Sequence, residues 1–351
     1  MVKFLKYTLI VLCSVVLLIE IYYRLTKQHE TYLESIGAGY YSGYNAILPS
    51  WYRIRAANDS FVPANVDFEY PFVTNSWGIR ERPIGPKPDT VLRILITGDS
   101  YTEGMGAPYD STWPRLLEKK LNAHGYKVEV INAGFAGSDL FYDYVSYRDS
   151  FAKLQPDLVI ASLNSSDYTD YLLRGGLDRF HADGTTHYRK APWYELLFRF
   201  SRLFRAVLYK YNNFPFQGIF ATEQQIEQEY INANIALDTT IALYKAKAAQ
   251  NGAGFISIIH IIPSEIKNGE AHLNQYGLAK LDSLANTLSN ADVNSINICM
   301  PMAAAYGDKL PVYYHLIDGH YNARGYNIMA QIIADTLLAK GLVPVQNTTK
   351  H

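Results

Sequence analysis

The chain has 351 residues, 48% of them apolar, and a formal net charge of -1. That length can bury a large core around one α/β-sized domain with extra segments, and the near-neutral balance argues against a basic face for nucleic acid, so no nucleic-acid partner is expected. Only two cysteines, Cys13 and Cys299, argue against a disulfide framework, and with the scattered histidines they leave no zinc-type spacing, so neither metal nor other cofactor is expected.

Phe4 to Leu25 is a nearly continuous apolar run, FLKYTLIVLCSVVLLIEIYYRL, long enough to cross a bilayer as a helix, with Lys6 and Glu20 near enough to its ends to snorkel. A cleaved signal peptide is the competing reading. No small-x-small cleavage site directly follows the run, and Leu12 before Cys13 is not the small residue of a lipoprotein signal. Ile21-Tyr22-Tyr23 has the character of an interfacial aromatic anchor. Lys3, Lys6 and the amino terminus precede the run, whereas Arg24 and Lys27 follow it with Glu20 and Glu30 nearby. This bias places the amino terminus in the cytoplasm and everything after Tyr23 outside it.

Thr26 to Pro88 is rich in Tyr, Asn, Gly and Pro without a long period, and reads as a stalk merging into an irregular first layer of the domain. From Val91 onward, strand-like runs alternate with helical stretches. The expected strands are Leu92 to Thr97, Lys127 to Asn132, Leu158 to Leu163, Gly254 to Ile262 and Asn294 to Cys299. The expected helices include Thr112 to Ala123, Ile226 to Gln250 and Asn322 to Ala339. Alternating β and α elements with buried, non-alternating strands predict a three-layer α/β/α domain around a mostly parallel sheet.

Leu172 to Thr222 interrupts the rhythm, being long, aromatic and locally basic. Within it Trp193 to Tyr211, WYELLFRFSRLFRAVLYKY, mixes Arg199, Arg202, Arg205 and Lys210 with bulky apolar residues. It is too charged to span a membrane; it either lies on one or packs on the domain with its arginines solvated. The expected division is an anchor over 1–25, a stalk and irregular layer over 26–88, and an α/β domain over 89–345 interrupted at 172–222. As a hypothesis, the insertion caps the carboxyl edge of the sheet or docks the domain against the bilayer.

Val91 to Gly104, VLRILITGDSYTEG, runs a strand straight into a small-residue corner. That either presents the Ser100 hydroxyl at the edge where open α/β sheets hold ligands, or leaves Ser100 or Asp99 as a helix cap. The second strand ends at Asn132-Ala133-Gly134-Phe135-Ala136-Gly137 and the third at Asn164-Ser165-Ser166-Asp167, while Asp318-Gly319-His320-Tyr321-Asn322 precedes the last helix. Acyl transfer through a serine needs a hydroxyl, a base, a group to orient the base and N–H donors aimed at the oxyanion, and these four places hold the residue types for all of them. A free imidazole, with a pKa near ~6.5, suits His320 as the base.

Taken together, these blocks resemble the SGNH, or GDSL-type, hydrolase family and its membrane-anchored bacterial subgroup. Gly98-Asp99-Ser100 with Thr102-Glu103-Gly104 is similar to the first block, the Asn132 to Gly137 run to the second, and Asp318 to Asn322 with Gly325 to the last. Asn75-Ser76-Trp77-Gly78-Ile79-Arg80 is similar to a stretch in membrane-anchored members. The resemblance covers roughly Thr74 to Leu338 and implies an SGNH/flavodoxin-like fold behind one transmembrane helix. It also implies Ser100 as nucleophile, His320 as base, Asp318 as its orienter, and an oxyanion hole from Ser100 and Gly137 with Asn164 or Ser166.

Two departures from the family pattern stand out. The third block usually reads Gly-x-Asn-Asp, but Ser166 precedes Asp167 here, so either the Ser166 hydroxyl substitutes or a local shift lets Asn164 reach the site. The last block usually places Asp three residues before His, and here the spacing is two, so Asp318 either reaches the imidazole from a different turn or cedes the role to a carbonyl.

Structural roles are open for the remaining residues. Gly134 and Gly137 fit a tight turn, Asn164 a strand cap, and Asp167 or Asp170 a helix N-cap. His260 and His315 fit the core, Cys299 fits as a small buried residue, and Asn75 and Arg80 as ties between stalk and domain.

The expected protein is a single-pass protein of the bacterial inner (cytoplasmic) membrane with its domain in the periplasm. Its expected activity is that of a serine esterase or O-acyltransferase on acyl, chiefly acetyl, esters of extracytoplasmic glycans. The alternative is a catalytically weak glycan-binding or scaffold protein of the same fold. Oligomeric state is not legible.

Overall fold

The computed structural model describes residues 2–28, 50–51, 55–63, 65–187, 194–211, 222–271, 283–288 and 293–344. Residues 29–49, 52–54 and 64 of the expected stalk and irregular layer, and Trp193 of the insertion, lie outside the described residues. In chain order the elements are α1 (Val2–Leu25), β1 (Leu92–Thr97), α2 (Ser100–Glu103), α3 (Trp113–Ala123), β2 (Val128–Asn132), α4 (Leu140–Asp149), β3 (Leu158–Leu163), α5 (Ser166–Arg174), α6 (Glu195–Phe200), α7 (Arg202–Tyr211), α8 (Glu223–Gln250), β4 (Gly254–Ile259), β5 (Asn294–Asn297), α9 (Cys299–Tyr306) and α10 (Ala323–Ala339). Short strand pairs and 3-10 turns lie between them.

The chain divides into two compact units, Met1–Tyr52 with Leu172–Glu229, and Arg53–Tyr171 with Tyr230–His351. The insertion therefore groups with the N-terminal helix. The part of the irregular layer from Arg53 onward belongs to the α/β unit.

In the α/β unit the five strands form one parallel sheet in the order β5-β4-β3-β1-β2. Every residue of β1 and β3 is buried, as expected of central parallel strands covered on both faces. Arg93 is tolerated in β1 because Glu129 Oε2 and the carbonyls of Leu154 and Gly85 take its guanidinium, at 2.7, 2.7 and 3.0 Å. On one face α3 packs against β2 and α10. Trp113, Leu117 and Leu121 recur every four residues along the buried stripe of α3, and burying each leucine stabilises by roughly 1.5–3 kcal/mol. On the other face Tyr144 and Tyr147 of α4 and Phe255 of β4 surround Tyr244 of α8, whose hydroxyl lies 3.1 Å from Thr97 Oγ1.

Two strands end earlier than their apolar runs. β4 stops at Ile259 because its partner β5 ends opposite it at Asn297, and Pro263 soon follows. Cys299 opens α9 rather than closing a strand, since Asn297 Oδ1 accepts its N–H at 3.0 Å, and its side chain is buried. The chain leaves β1 for β2 on one side and later returns to β3 on the other. The carboxyl end of β1 is therefore the switch point where such sheets open a crevice.

In the other unit, α1 is long and apolar enough to cross a membrane or to serve as a signal sequence. Here α7 packs against α1, and Tyr194, Phe198 and Phe204 form a small apolar cluster. The expected solvated arginines are corrected at two positions: Arg202 and Arg205 are 6% and 1% exposed, and Arg205 lies over the Phe198 ring. The side chains of Arg199 and Lys210 lie outside the described residues.

Candidate functional site

β1 ends at Thr97, and the Gly98-Asp99-Ser100 corner follows. Asp99 is the helix cap: its Oδ1 accepts the Tyr101 N–H at 2.9 Å, which leaves Ser100 as the first residue of α2 with its side chain uncommitted to capping. Ser100 Oγ lies 2.8 Å from His320 Nε2, and Asp318 Oδ1 lies 2.6 Å from His320 Nδ1. The Tyr101 ring packs 4.8 Å from the imidazole.

The two-residue spacing between Asp318 and His320 works because residues 315–320 form a closed turn. His315 N–H donates to the His320 carbonyl at 2.9 Å and Gly319 N–H to the His315 carbonyl at 2.8 Å. Within that turn, one carboxylate oxygen of Asp318 meets both the imidazole and the His320 N–H. His315 holds the turn to the nucleophile's loop through its Nε2, 2.7 Å from the Gly106 carbonyl.

Two residues from the irregular layer complete the turn. Asn65 Nδ2 donates to Asp318 Oδ2 at 2.7 Å, and Asp67 Oδ2 accepts the N–H groups of Ile317 and Asp318, both at 2.8 Å. Burial works to raise the Asp318 carboxyl; the hydrogen bond and charge of His320, with the Asn65 amide, outweigh it and hold the pKa below the ordinary carboxylate value. Such a group adds stability above its unfolded pKa and loses it as pH falls through its folded one.

The second block forms the loop beside Ser100. Phe135 N–H and the Ser138 hydroxyl both donate to the Gly98 carbonyl, and Ala136 N–H donates to Glu103 Oε2 at 3.1 Å. Glu103 is buried and is gripped by Nε and Nη2 of Arg55, each at 3.0 Å. Arg80 braces the same corner from behind, donating to the carbonyls of Glu103, Gly104 and Ala107. Asn75 holds the strap that carries it, through the Arg82 carbonyl and Trp77 N–H.

The two glycines of this loop have different reasons. A Cβ on Gly134 would sit 2.3 Å from Glu103 N and 2.6 Å from the Thr102 carbonyl carbon, so glycine there lets the loop touch the backbone of α2. Gly137 has φ +82° with open space where a Cβ would sit, so glycine is needed there for its backbone conformation rather than for clearance. Gly134→Ala is expected to cost about 1–3 kcal/mol through overpacking and to move Ser100, whereas Gly137→Ala costs about 1 kcal/mol of left-handed strain. Urea midpoints that fall equally for the two would contradict this difference.

At the third block, Asn164 is fully buried beside the Gly98-Asp99-Ser100 corner. Its Nδ2 donates to Asp99 Oδ2 at 2.8 Å and lies 3.3 Å from His260 Nε2, and its Oδ1 accepts the Ser166 N–H. Ser166 is half-buried, its hydroxyl 3.5 Å from Asp99 Oδ2. Asp167 accepts the N–H groups of Leu140 and Asn164, so it ties α4 to the end of β3. Asp170 lies inside α5 rather than at its cap.

His260 is buried, and burial lowers its pKa. As a neutral ring it donates from Nδ1 to the Ile261 carbonyl and accepts from Asn164.

Asp143 of α4 is buried near Asp167, Asp139 and Asp99. Burial first, and then the charge of Asp167, push its pKa well above the ordinary value against the opposing hydrogen bond of Ser138. A raised carboxyl favours the fold below its unfolded pKa and opposes it increasingly as pH rises through the folded one. Asp143→Asn is therefore expected to match wild type near pH 3–4 and to gain in melting temperature as pH rises. A gain confined to acid would sink that account.

Ser100, His320 and Asp318 thus stand in the geometric order of nucleophile, base and orienting acid at the switch point of a parallel sheet. The chain belongs to the GDSL-like lipase/acylhydrolase family, whose model matches residues 96–328, and it has the SGNH-type α/β fold of that family. It is 32% identical over 75 residues to an arylesterase of Vibrio mimicus and 30% identical over 74 residues to esterase TesA of Pseudomonas aeruginosa. Each match covers 21% of this chain, and the chain spans only 38% and 37% of the length of those relatives. Among solved structures, one of TesA matches 70% of this chain and 97% of its own at 15% identity, with TM-score 0.43. A two-domain esterase described as active on acetylated mannans matches 74% of this chain and 53% of its own at 13% identity, with TM-score 0.41.

Sequence reasoning missed Arg55, Asn65 and Asp67 as supports of the site. They lie in a stretch without periodicity, and nothing local marks them.

Proposed function

We propose that this chain is a serine ester hydrolase or O-acyltransferase, anchored by α1, with its α/β unit outside the cytoplasm. The observation that carries the reading is the relay from Asp318 through His320 to Ser100, at 2.6 and 2.8 Å. In this mechanism Ser100 Oγ attacks the ester carbonyl as His320 Nε2 takes its proton. Asp318 holds Nδ1–H and stabilises the imidazolium. The N–H groups of Ser100 and Gly137, with the Asn164 amide or the Ser166 hydroxyl, receive the oxyanion, each donor being worth about 10² to 10³ in rate. His320 then protonates the departing alkoxide oxygen. The acyl-enzyme passes its acyl group to water in a hydrolase, or to a second hydroxyl in a transferase, and His320 takes the proton of that acceptor.

Membrane anchoring is supported by the length and apolar character of α1 and by the lysines that precede it. The finer assignment, an acyl and chiefly acetyl ester on an extracytoplasmic glycan, rests on that placement alone. Mass spectrometry of envelope glycans from cells carrying wild type or Ser100→Ala tests it. Extra acyl groups in the variant identify an esterase and missing ones a transferase, while unchanged glycans remove the substrate assignment.

A further inference from the structure

Glu20 is the one acidic side chain of α1, whose charged residues otherwise are Lys3, Lys6 and Arg24 at its two ends. Counting about 20 residues from Phe4 puts the far edge of the hydrocarbon near Tyr23, so a spanning α1 holds the Glu20 carboxylate just inside that edge. A carboxylate there is costly unless its oxygens are satisfied. They are: Arg202 N–H, Leu203 N–H and the Ser201 hydroxyl each donate at 3.0 Å, and Arg24 Nε lies at 2.9 Å. Glu20 thereby caps the first turn of α7, where a negative charge also meets the positive end of the helix.

The contact is reinforced from both sides. Arg24 donates to the Phe200 carbonyl, and Arg202 Nη1 to the Tyr23 carbonyl at 3.1 Å. The start of α7 is thus held at the depth of Glu20. Next to this joint, Leu197, Phe200 and Val207 are 48%, 61% and 41% exposed.

We propose that α6 and α7 form an interfacial platform, with Leu197, Phe200 and Val207 seated in the outer boundary of the bilayer and Glu20 fixing their depth. This rests on the anchoring reading above. The occupant is lipid because the joint ties the face to the end of a spanning helix, which sets its height. Segments of this kind lie in the interface plane with the apolar side turned to the acyl boundary.

The test uses the full chain in phosphatidylcholine vesicles, with Cys13→Ser to leave only the buried Cys299, and an environment-sensitive nitrobenzoxadiazole label on Phe200→Cys. Leu197→Cys is the second position should the first fail to fold. The expected result is blue-shifted emission, quenched more by lipid bearing a doxyl group near the headgroup than by one near the chain end. Glu20→Ala is expected to return the emission to that of a label in water. Water-like emission at both positions, in a chain that resists carbonate extraction, would overturn the platform while leaving the anchor standing. Emission unmoved by Glu20→Ala would overturn the joint. Extraction of the wild-type chain by carbonate would remove the anchor and the platform with it.

Discussion

Ser100→Ala is expected to lower ester turnover about 10⁶-fold in kcat and to abolish covalent labelling by a fluorophosphonate, with little change in stability. The stability forecast follows from geometry: Asp99 caps α2, and the Ser100 hydroxyl has its bond to His320. His320→Ala is expected to cost about as much, and the double variant no more than either, since the relay acts as a unit. Asp318→Asn is expected to lose about 10⁴-fold, as an amide that donates to Nδ1 replaces the acceptor of Nδ1–H and favours the wrong tautomer. Labelling that persists in Ser100→Ala would mean a different serine is activated. Intact protein that refuses the probe, beside a reactive control esterase, would favour a binding or scaffold role.

Arg80→Lys is expected to destabilise the α/β unit by about 3 kcal/mol or more, nearly as much as Arg80→Ala. Arg80 is 1% exposed, sends two guanidinium nitrogens to three carbonyls around α2, and stacks over Tyr70 and Phe72 with ring centroids 4.7 and 4.8 Å away. Burial lowers its pKa, so the charge is retained against a desolvation cost that the carbonyls and rings offset. A lysine ammonium cannot span the same carbonyls in a plane, and it leaves buried acceptors unpaired. Unfolding followed by the fluorescence of buried Trp113 measures the loss. A Lys variant within about 0.5 kcal/mol of wild type would show that charge alone suffices there.

The sheet was legible in the sequence because its strands are fully buried apolar runs with small-residue corners at their carboxyl ends. β1 and β3 match their expected limits, while β4 and β5 are shorter, since an apolar run does not say where its hydrogen-bonding partner ends. The chemistry-bearing serine and histidine were legible as residue types in ordered blocks. What closes around them was not. Asn164 stands two residues before Ser166, and nothing local in the sequence says that its amide meets Asp99 and His260. The burial of Arg202 and Arg205 depends on a neighbouring helix that hydrophobic periodicity cannot name.

The bond from Asn65 to Asp318 has a consequence for how such proteins are built. A gene trimmed to the family match at 96–328 would still encode Ser100, Asp318 and His320, yet it would lack Arg55, Asn65, Asp67 and Arg80. The catalytic segment and the irregular strap ahead of it therefore form one heritable part. Grafting this chain's hydrolase segment behind a foreign strap would strand the Asp318 carboxylate without its amide, unless both sides of that seam were carried over together.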